Sequence, residues 1–245
     1  MMTNLIENKV ALVTGANRGI GKAIVDSLIA NGAKKVYLAV RNPASTKEIE
    51  AKYEDKVVTL TADVGDAESI EQLANQATDV EILVNNAGIM HLTSPLSEDA
   101  EASLMQQFNI NVFGLMRVAN AFAETLENNK GTLVQLNSIA SIKTFGDIAT
   151  YCASKAAAYS ITQGLKEKWA DKGISVLSVH PGPIGTEMGN EAGFAGAPDA
   201  TVVSNAIITA LNNGDFHAFP DPVAKQLEAA YQSYSDQIIT GELSL

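Results

Sequence analysis

The sequence predicts an α/β protein with one doubly wound parallel sheet of about seven strands, covered by helices on both faces. An apolar run, Val10–Thr14, stops at three closely spaced glycines and then resumes with helical periodicity. Strand-like and helix-like segments alternate along the rest of the chain, which is typical of right-handed βαβ units. Since no internal repeat or linker interrupts this alternation, we expect a single domain over residues 1–245.

The elements follow one another at short intervals. Ile20, Ile24, Leu28 and Ile29 repeat at helical spacing until Asn31-Gly32 ends the first helix. We predict strands at about Lys9 to Thr14, Lys35 to Val40, Val57 to Thr61, Glu81 to Asn85, Thr132 to Asn137, Ile174 to His180 and Phe216 to Phe219. The other predicted helices begin near Ser45, run through Ile70 and Leu73, span roughly Asp99 to Leu126, Thr150 to Asp171 and Thr201 to Leu211, and begin again at Val223.

One segment resists assignment. Residues 182–198 contain five glycines and no clear periodicity, so we interpret about residues 183–198 as a mobile lid.

Composition excludes several classes of function. The chain has 46% hydrophobic and 18% charged residues and a net charge of −11, which disfavours nucleic-acid and anionic membrane surfaces. It has one cysteine, Cys152, which rules out an intrachain disulfide framework and fits a reducing compartment. The N-terminus lacks a signal-peptide pattern and no apolar run reaches membrane-spanning length, so we expect a cytoplasmic protein. The three histidines have no metal-like spacing, and we expect no metal site.

The glycine turn predicts a phosphate site. Gly15, Gly19 and Gly21 stand between the first strand and the first helix. Glycines tolerate close approach, and the free N–H groups of the following helix bind anions. The spacing differs from the common G-x-G-x-x-G pattern, but the βαβ setting of these glycines strengthens the assignment.

Two arginines favour NADP(H) over NAD(H). About 20 positions after the last glycine, where an acid would hold a ribose hydroxyl, the chain has Arg41. A guanidinium there can bind a 2′-phosphate, and Arg18 is a second candidate. Asp63 could accept a hydrogen bond from the adenine amino group or could simply cap its loop.

Tyr151 and Lys155 are candidates for proton transfer. They are four residues apart in a predicted helix and therefore lie one turn from each other on one face. A phenol has a pKa of about 10, and we expect the nearby ammonium to lower that pKa. Ser138, at a strand end, could donate to a carbonyl oxygen. Asn111 could hold a water or a backbone group, although a polar residue there could also lie on the wet face of its helix.

These motifs together resemble those of the short-chain dehydrogenase/reductase family. The resemblance rests on Thr14-Gly15-Ala16-Asn17-Arg18-Gly19-Ile20-Gly21, Asn85-Asn86-Ala87-Gly88, Asn111-Val112-Phe113-Gly114, Ser138, Tyr151-Cys152-Ala153-Ser154-Lys155 and Pro181-Gly182. It covers about Lys9 to Thr186, and Arg18 with Arg41 is similar to the NADP-preferring carbonyl reductases.

The resemblance implies a Rossmann-type fold, a cofactor half at about residues 8–100 and a catalytic and substrate half at about 101–245. It implies that Tyr151 is the acid/base, Ser138 polarises the substrate oxygen, and Lys155 lowers the tyrosine pKa and holds the nicotinamide ribose. Asn111 would anchor a proton-relay water. The implied cofactor-binding residues are Gly15, Asn17, Arg18, Gly19, Ile20, Gly21, Arg41, Asp63, Val64, Asn86, Ala87, Gly88, Tyr151, Lys155, Pro181, Gly182, Ile184 and Thr186.

The expected substrate is small and hydrophobic. Side chains expected around the reacting carbonyl are apolar: Met90, Ile139, Ala140, Phe145, Ile184, Met188 and Phe194. Apart from Lys143, no cation falls near them to hold a substrate carboxylate or phosphate. Cys152 should face away from the site and pack.

We therefore expect an NADPH-dependent reductase of ketones or aldehydes, reversible as an alcohol dehydrogenase. One alternative is a 3-oxoacyl-thioester reductase of lipid synthesis, which would need a basic rim, for example around Arg117, Lys166 and Lys168. Another is a non-catalytic NADP(H)-sensing regulator.

We also expect a homo-oligomer, either a dimer or a tetramer. The C-terminal sequence departs from that of many tetrameric family members, which counts against a tetramer built through the last strand. A dimer through the two long helices could use Phe113 and Trp169, unless those side chains belong to the core.

Overall fold

The computed structural model of the chain describes residues 4–241. Its strands are β1 Val10–Thr14, β2 Lys35–Val40, β3 Val57–Thr61, β4 Ile82–Asn85, β5 Thr132–Leu136, β6 Ser175–Val179 and β7 His217–Ala218. They form one sheet in the order β3-β2-β1-β4-β5-β6-β7, and every neighbouring pair is parallel. The predicted doubly wound sheet is confirmed.

Helices cover both faces of the sheet. They are α1 Gly19–Ala30, α2 Lys47–Tyr53, α3 Ala67–Gln76, α4 Ala100–Gln107, α5 Gly114–Asn129, α6 Ala149–Trp169, α7 Glu187–Glu191, α8 Thr201–Asn213 and α9 Pro222–Tyr234. Within the described range, none of them is long and apolar enough to cross a membrane.

The sheet separates two apolar cores. Alternate residues of a strand face opposite sides, so Ala11 and Val13 pack with α1 and α8, whereas Val10 and Leu12 pack with α3, α5 and α6. All five residues of β1 are buried, as expected for a strand with a helical layer on each face.

The chain changes winding direction at β1, which pairs with β2 on one side and β4 on the other. In such sheets the crevice at the carboxyl ends of the strands, at the switch point, is where ligands bind. Here Thr14 donates from its hydroxyl to the Asn85 side-chain oxygen across 3.3 Å and joins the two strand ends. The fold therefore locates a site between β1 and β4.

Two predicted elements need correction. The predicted long helix from Asp99 is three pieces, because a π-helical turn at Phe108–Phe113 separates α4 from α5, which ends only at Asn129. Apolar spacing persists through such a wide turn, so periodicity alone does not detect it. The last strand is wrong in length: β7 has two residues, because only His217 and Ala218 pair with β6.

Candidate active site

The glycine turn joins β1 to α1 and leaves an open helix end. Gly15 and Gly19 have φ values of +65° and +52°, which favour glycine. A Cβ at Gly21 would lie 2.1 Å from the Gly15 carbonyl oxygen and 2.7 Å from Asn86 Nδ2, so this glycine lets α1 pack closely against the glycine turn and the segment after β4. No side chain caps the start of α1, and its first turn carries no acid. These features fit a bound phosphate.

A single cavity of about 880 Å³ runs from this turn along the carboxyl ends of the strands. Every residue predicted to bind the cofactor lines it: Gly15, Asn17, Arg18, Gly19, Ile20, Gly21, Arg41, Asp63, Val64, Asn86, Ala87, Gly88, Tyr151, Lys155, Pro181, Gly182, Ile184 and Thr186. The six further side chains predicted for the substrate pocket also line it: Met90, Ile139, Ala140, Phe145, Met188 and Phe194.

At the predicted adenosine end, the two arginines differ in their surroundings. Arg18 forms an ion pair with Glu187 of α7, which joins the glycine turn to the predicted lid. Arg41 is exposed at the end of β2 and has no ion-pair partner within residues 4–241. Asp63 accepts a hydrogen bond from the Gly65 N–H at 2.8 Å, which is the loop-capping role. Asn42 also lines this end and has no counterpart in the sequence analysis.

The Ser138 hydroxyl is held in place at the end of β5. It accepts a hydrogen bond from the Ala140 N–H at 3.1 Å and donates to the Pro181 carbonyl at 3.3 Å. The first bond caps a short 3₁₀ turn at Ile139–Ser141, and the second ties Ser138 to the loop after β6. The hydroxyl thus faces the cavity from a rigid support.

Tyr151 and Lys155 lie on α6 and both face the cavity, as the spacing predicted. Lys155 Nζ is 5.8 Å from the centre of the Tyr151 ring and donates to the Leu136 carbonyl oxygen at 2.8 Å. The lysine side chain is therefore drawn towards β5, while its ammonium remains near the tyrosine.

The predicted fall in the Tyr151 pKa is wrong for this structure. Burial raises the pKa of Tyr151 to about 12, and hydrogen bonding with the Ser138 side chain only partly opposes the increase. Burial also lowers the pKa of Lys155 to about 8, because the ammonium has lost water without gaining a carboxylate. Tyr151 is therefore a neutral phenol at neutral pH, which is the form that can donate a proton.

Asn111 is buried in the π-helical turn rather than on a wet helix face. Its Oδ1 accepts from the Ile89 N–H and its Nδ2 donates to the Ile89 carbonyl, both at 2.9 Å. Nδ2 also lies 2.9 Å from Ser154 Oγ on α6. The side chain does not line the cavity. It joins the segment after β4 to α6, while the water-anchoring role stays a prediction.

The predicted lid contains a short helix that the sequence analysis missed. Thr186 caps α7 by accepting from the Gly189 N–H at 3.1 Å. At the other end of the loop, the Gly182 N–H donates to buried Asp221 at 2.6 Å. The mobility of the segment stays a prediction.

His180 is a supporting residue that sequence reasoning considered only as a metal ligand. It is fully buried, and its Nε2 lies 2.8 Å from the Ser178 hydroxyl. Its Nδ1 lies 3.0 Å from Ser141 Oγ, which itself donates to the Ser138 carbonyl at 2.5 Å. The Ser141 proton is thus already committed, so Nδ1 carries the imidazole proton and Nε2 accepts. Burial lowers the His180 pKa to about 3.

The remaining residues considered in the sequence analysis lie outside the cavity. Cys152 is buried, does not line the cavity, and has a pKa raised by burial. Of the two alternatives left open for these side chains, Trp169 packs in the core of its own chain, whereas Phe113 is 47% exposed. Within residues 4–241, no cluster of three or more His, Cys, Asp or Glu side chains is arranged to hold a metal ion.

Comparison with known proteins agrees with this geometry. A family model described as short chain dehydrogenase matches residues 9–194. A diacetyl reductase [(S)-acetoin forming] of Staphylococcus epidermidis is 35% identical over 192 residues, covering 74% of this chain and 73% of that protein. An NADP-dependent 3-hydroxy acid dehydrogenase of Schizosaccharomyces pombe is 31% identical over 191 residues, covering 74% of each chain.

Solved structures give the same assignment. A short chain dehydrogenase of Burkholderia cenocepacia in complex with NADP has a TM-score of 0.87 and 29% identity, covering 94% of this chain and 97% of that one. A family member of Burkholderia phymatum in complex with NAD, 21% identical, covers 100% of both chains with a TM-score of 0.83 and supports the fold alone. With its doubly wound sheet, glycine turn and serine, tyrosine and lysine on one cavity, the chain is an oxidoreductase of the short-chain dehydrogenase/reductase family.

Proposed function

We propose that the protein reduces a ketone or aldehyde to an alcohol with NADPH, reversibly. The observation that carries this proposal is the continuity of the cavity. It joins the glycine turn and two arginines at one end to Ser138, Tyr151 and Lys155 at the other. A dinucleotide extended from the glycine turn would bring its nicotinamide beside Tyr151, and apolar walls beyond leave room for an uncharged substrate.

NADPH is favoured because the end of β2 carries a cation in place of an acid. Arg41 is exposed and free of ion pairs in the described part of the chain, so its guanidinium is available to a 2′-phosphate. The Burkholderia cenocepacia structure was solved with NADP. When bound, the cofactor would supply the hydride that reduces the carbonyl carbon.

The protein's own residues would supply the proton and hold the carbonyl oxygen. Tyr151 is protonated at neutral pH, since burial places its pKa at about 12. Its hydroxyl would donate the proton to the substrate oxygen as negative charge develops there. The Ser138 hydroxyl, held by the Ala140 N–H, would turn its one proton from the Pro181 carbonyl to the same oxygen. Lys155, buried one turn from Tyr151, would hold the cofactor ribose and stabilise the tyrosinate left after transfer.

The substrate is proposed to be small and hydrophobic. The apolar side chains predicted from the sequence line the same cavity as Tyr151, and three of them come from the predicted lid, Ile184, Met188 and Phe194. The relatives' names include both a hydroxy acid and an uncharged diketone, so they leave the charge of the substrate open.

The basic patch predicted for the thioester reductase alternative is only partly accessible, because Lys168 is exposed whereas Lys166 is half-buried and Arg117 is engaged within the chain. The Arg117 guanidinium donates to the Val64 and Asn109 carbonyl oxygens at 3.0 and 3.1 Å and to the Asn109 side chain at 3.0 Å. These hydrogen bonds hold the Arg117 guanidinium within its own chain, whereas binding an acidic acyl carrier would require accessible cations.

We also propose that the protein acts in the cytoplasm as a homo-oligomer. The lone buried Cys152 suits a reducing compartment. Exposed Phe113 and Met116 on the α5 side offer an apolar contact surface for a second copy. Size-exclusion chromatography with light scattering tests the association.

The direct test is NADPH oxidation, followed by nicotinamide absorbance, with a panel of ketones and aldehydes. We expect turnover with hydrophobic carbonyl compounds and a lower kcat/KM with NADH. Turnover of carrier-bound 3-oxoacyl thioesters but not of free ketones would favour the alternative enzyme. NADPH binding without turnover of any carbonyl compound would favour a regulator.

A further inference from the structure

The charged side chains of the cavity are distributed unevenly. The six that line it are Arg18, Arg41, Asp63, Asp147, Lys155 and Glu187. Two of the three cations, Arg18 and Arg41, lie at the glycine-turn end. The third, Lys155, is buried with its ammonium bonded to the Leu136 carbonyl. On the substrate side, the segment between Ser138 and Tyr151 contributes one of these six charged side chains. It is Asp147, which is negative.

Asp147 lies one helical turn before Tyr151. It is an exposed residue of the 3₁₀ turn Gly146–Ile148 that leads directly into α6. Its neighbours along the same loop, Phe145 and Ile148, also line the cavity. Asp147 is exposed and lines the same cavity as Tyr151, so we place its carboxylate at the solvent-facing mouth of this part of the cavity.

No cation neutralises Asp147 within residues 4–241. The lysine of the same loop, Lys143, donates its Nζ to the Thr144 carbonyl at 3.0 Å and lies 5.8 Å from the centre of the Phe145 ring. Lys143 does not line the cavity. The mouth therefore carries an uncompensated negative charge beside apolar walls.

We infer that this mouth selects ketones whose far end is neutral or cationic and discriminates against carboxylates. The inference rests on the proposed reductase function and names its substrate class. An alkyl chain could pack against Met90, Phe145 and Phe194. A carboxylate at the end of that chain would approach Asp147 without a cation to pair with, and Coulomb repulsion would weaken its binding. If Asp147 served only to stabilise the start of α6, its replacement would change stability and leave this selectivity alone.

The experiment compares a 3-oxo ester with the 3-oxo acid that its hydrolysis yields, both with NADPH. We expect the wild type to have the higher kcat/KM for the ester. Asp147→Asn should raise kcat/KM for the acid relative to the ester by about three- to tenfold at low salt, and Asp147→Lys by more. The effect of either substitution should shrink as ionic strength rises, since the mouth is exposed.

Glu101→Gln is the matched control. Glu101 is an exposed acid in the first turn of α4, and it does not line the cavity. This substitution makes the same change in net charge at a helix start. The inference would be overturned if Glu101→Gln changed the acid-to-ester ratio of kcat/KM as much as Asp147→Asn does. It would also be overturned if neither Asp147→Asn nor Asp147→Lys changed that ratio.

A binding measurement separates this inference from the reductase proposal. The NADP-loaded protein is titrated with 4-methylpentanoate and with its amide, two probes of similar shape that differ in charge. We expect Asp147→Lys to tighten the carboxylate relative to the amide, whether or not any ketone is reduced. Failure to reduce any ketone or aldehyde would refute the proposed function, whereas an unchanged carboxylate-to-amide affinity ratio would refute the role of Asp147.

Discussion

The ion pair between Arg18 and Glu187 predicts that Glu187 competes with the cofactor phosphate. Arg18 stands in the glycine turn and Glu187 begins α7, so the pair joins two segments that both line the cavity. We propose Arg18 as a ligand of the 2′-phosphate, and its guanidinium must leave or share Glu187 to fill that role. Glu187→Gln should therefore strengthen NADPH binding.

The size of the effect follows from exposure. The two side chains are 66% and 61% exposed, so the pair is a surface ion pair. Such pairs contribute about 0.2–1 kcal/mol. Releasing Arg18 from one should lower the NADPH Kd by about 1.5- to 5-fold. NADH lacks the 2′-phosphate, so its Kd should not change.

Fluorescence titration of wild type and variant with both cofactors measures this difference. Glu191→Gln is the control, because Glu191 ends the same short helix, is exposed and does not line the cavity. The reasoning is refuted if Glu187→Gln leaves the NADPH Kd unchanged, or if NADH binding tightens equally.

Three further predictions test the supporting residues. Arg41→Asp should lower the ratio of NADPH to NADH efficiency in steady-state assays; an unchanged ratio would mean that Arg41 does not bind the phosphate. Asp221 accepts a hydrogen bond from the Gly182 N–H and caps α9. Asp221→Ala should therefore lower the free energy of unfolding in urea by about 2–3 kcal/mol and raise the cofactor KM, and Asp221→Asn should lose less stability. Equal losses of stability in both variants would contradict the capping role. The pKa of His180 is lowered from 6.5 to about 3, so the unfolded chain takes up this proton first. Stability should fall by about 1.4 kcal/mol per pH unit below pH 6.5 for this group; His180→Gln should flatten that slope, and an identical slope would exclude His180.

The fold was predictable because its signals are local and repeated. Apolar runs such as Val10–Thr14 and Lys35–Val40 are buried strands of a sheet covered on both faces, so pattern and burial agree. Errors occur where tertiary contacts decide the outcome. Only His217 and Ala218 of the predicted last strand pair with β6, and the sequence does not show where that pairing ends. The π-helical turn around Asn111 keeps the apolar spacing of an ordinary helix.

The sequence predicted which residues line the site, but it predicted their pKa values less well. Four-residue spacing brought Tyr151 and Lys155 to one face, but spacing carries no information about burial, which reverses the expected pKa change of Tyr151. His180 and Asp221 were missed as supports of the site for a related reason. Each acts on a loop that is distant in sequence, His180 on Ser138 and Asp221 on Gly182, and only the folded chain brings them together.

In the proposed mechanism the neutral Tyr151 phenol delivers the proton to the oxygen of the carbonyl being reduced. Tyr151→Phe removes one oxygen and keeps the ring, so packing on α6 and the approach of the cofactor should be preserved. For this variant, kcat for ketone reduction is measured alongside the Kd for NADPH. We expect kcat to fall by about 100-fold or more, while the Kd for NADPH stays within about twofold of wild type. A variant that binds NADPH and reduces ketones at the wild-type rate would contradict it.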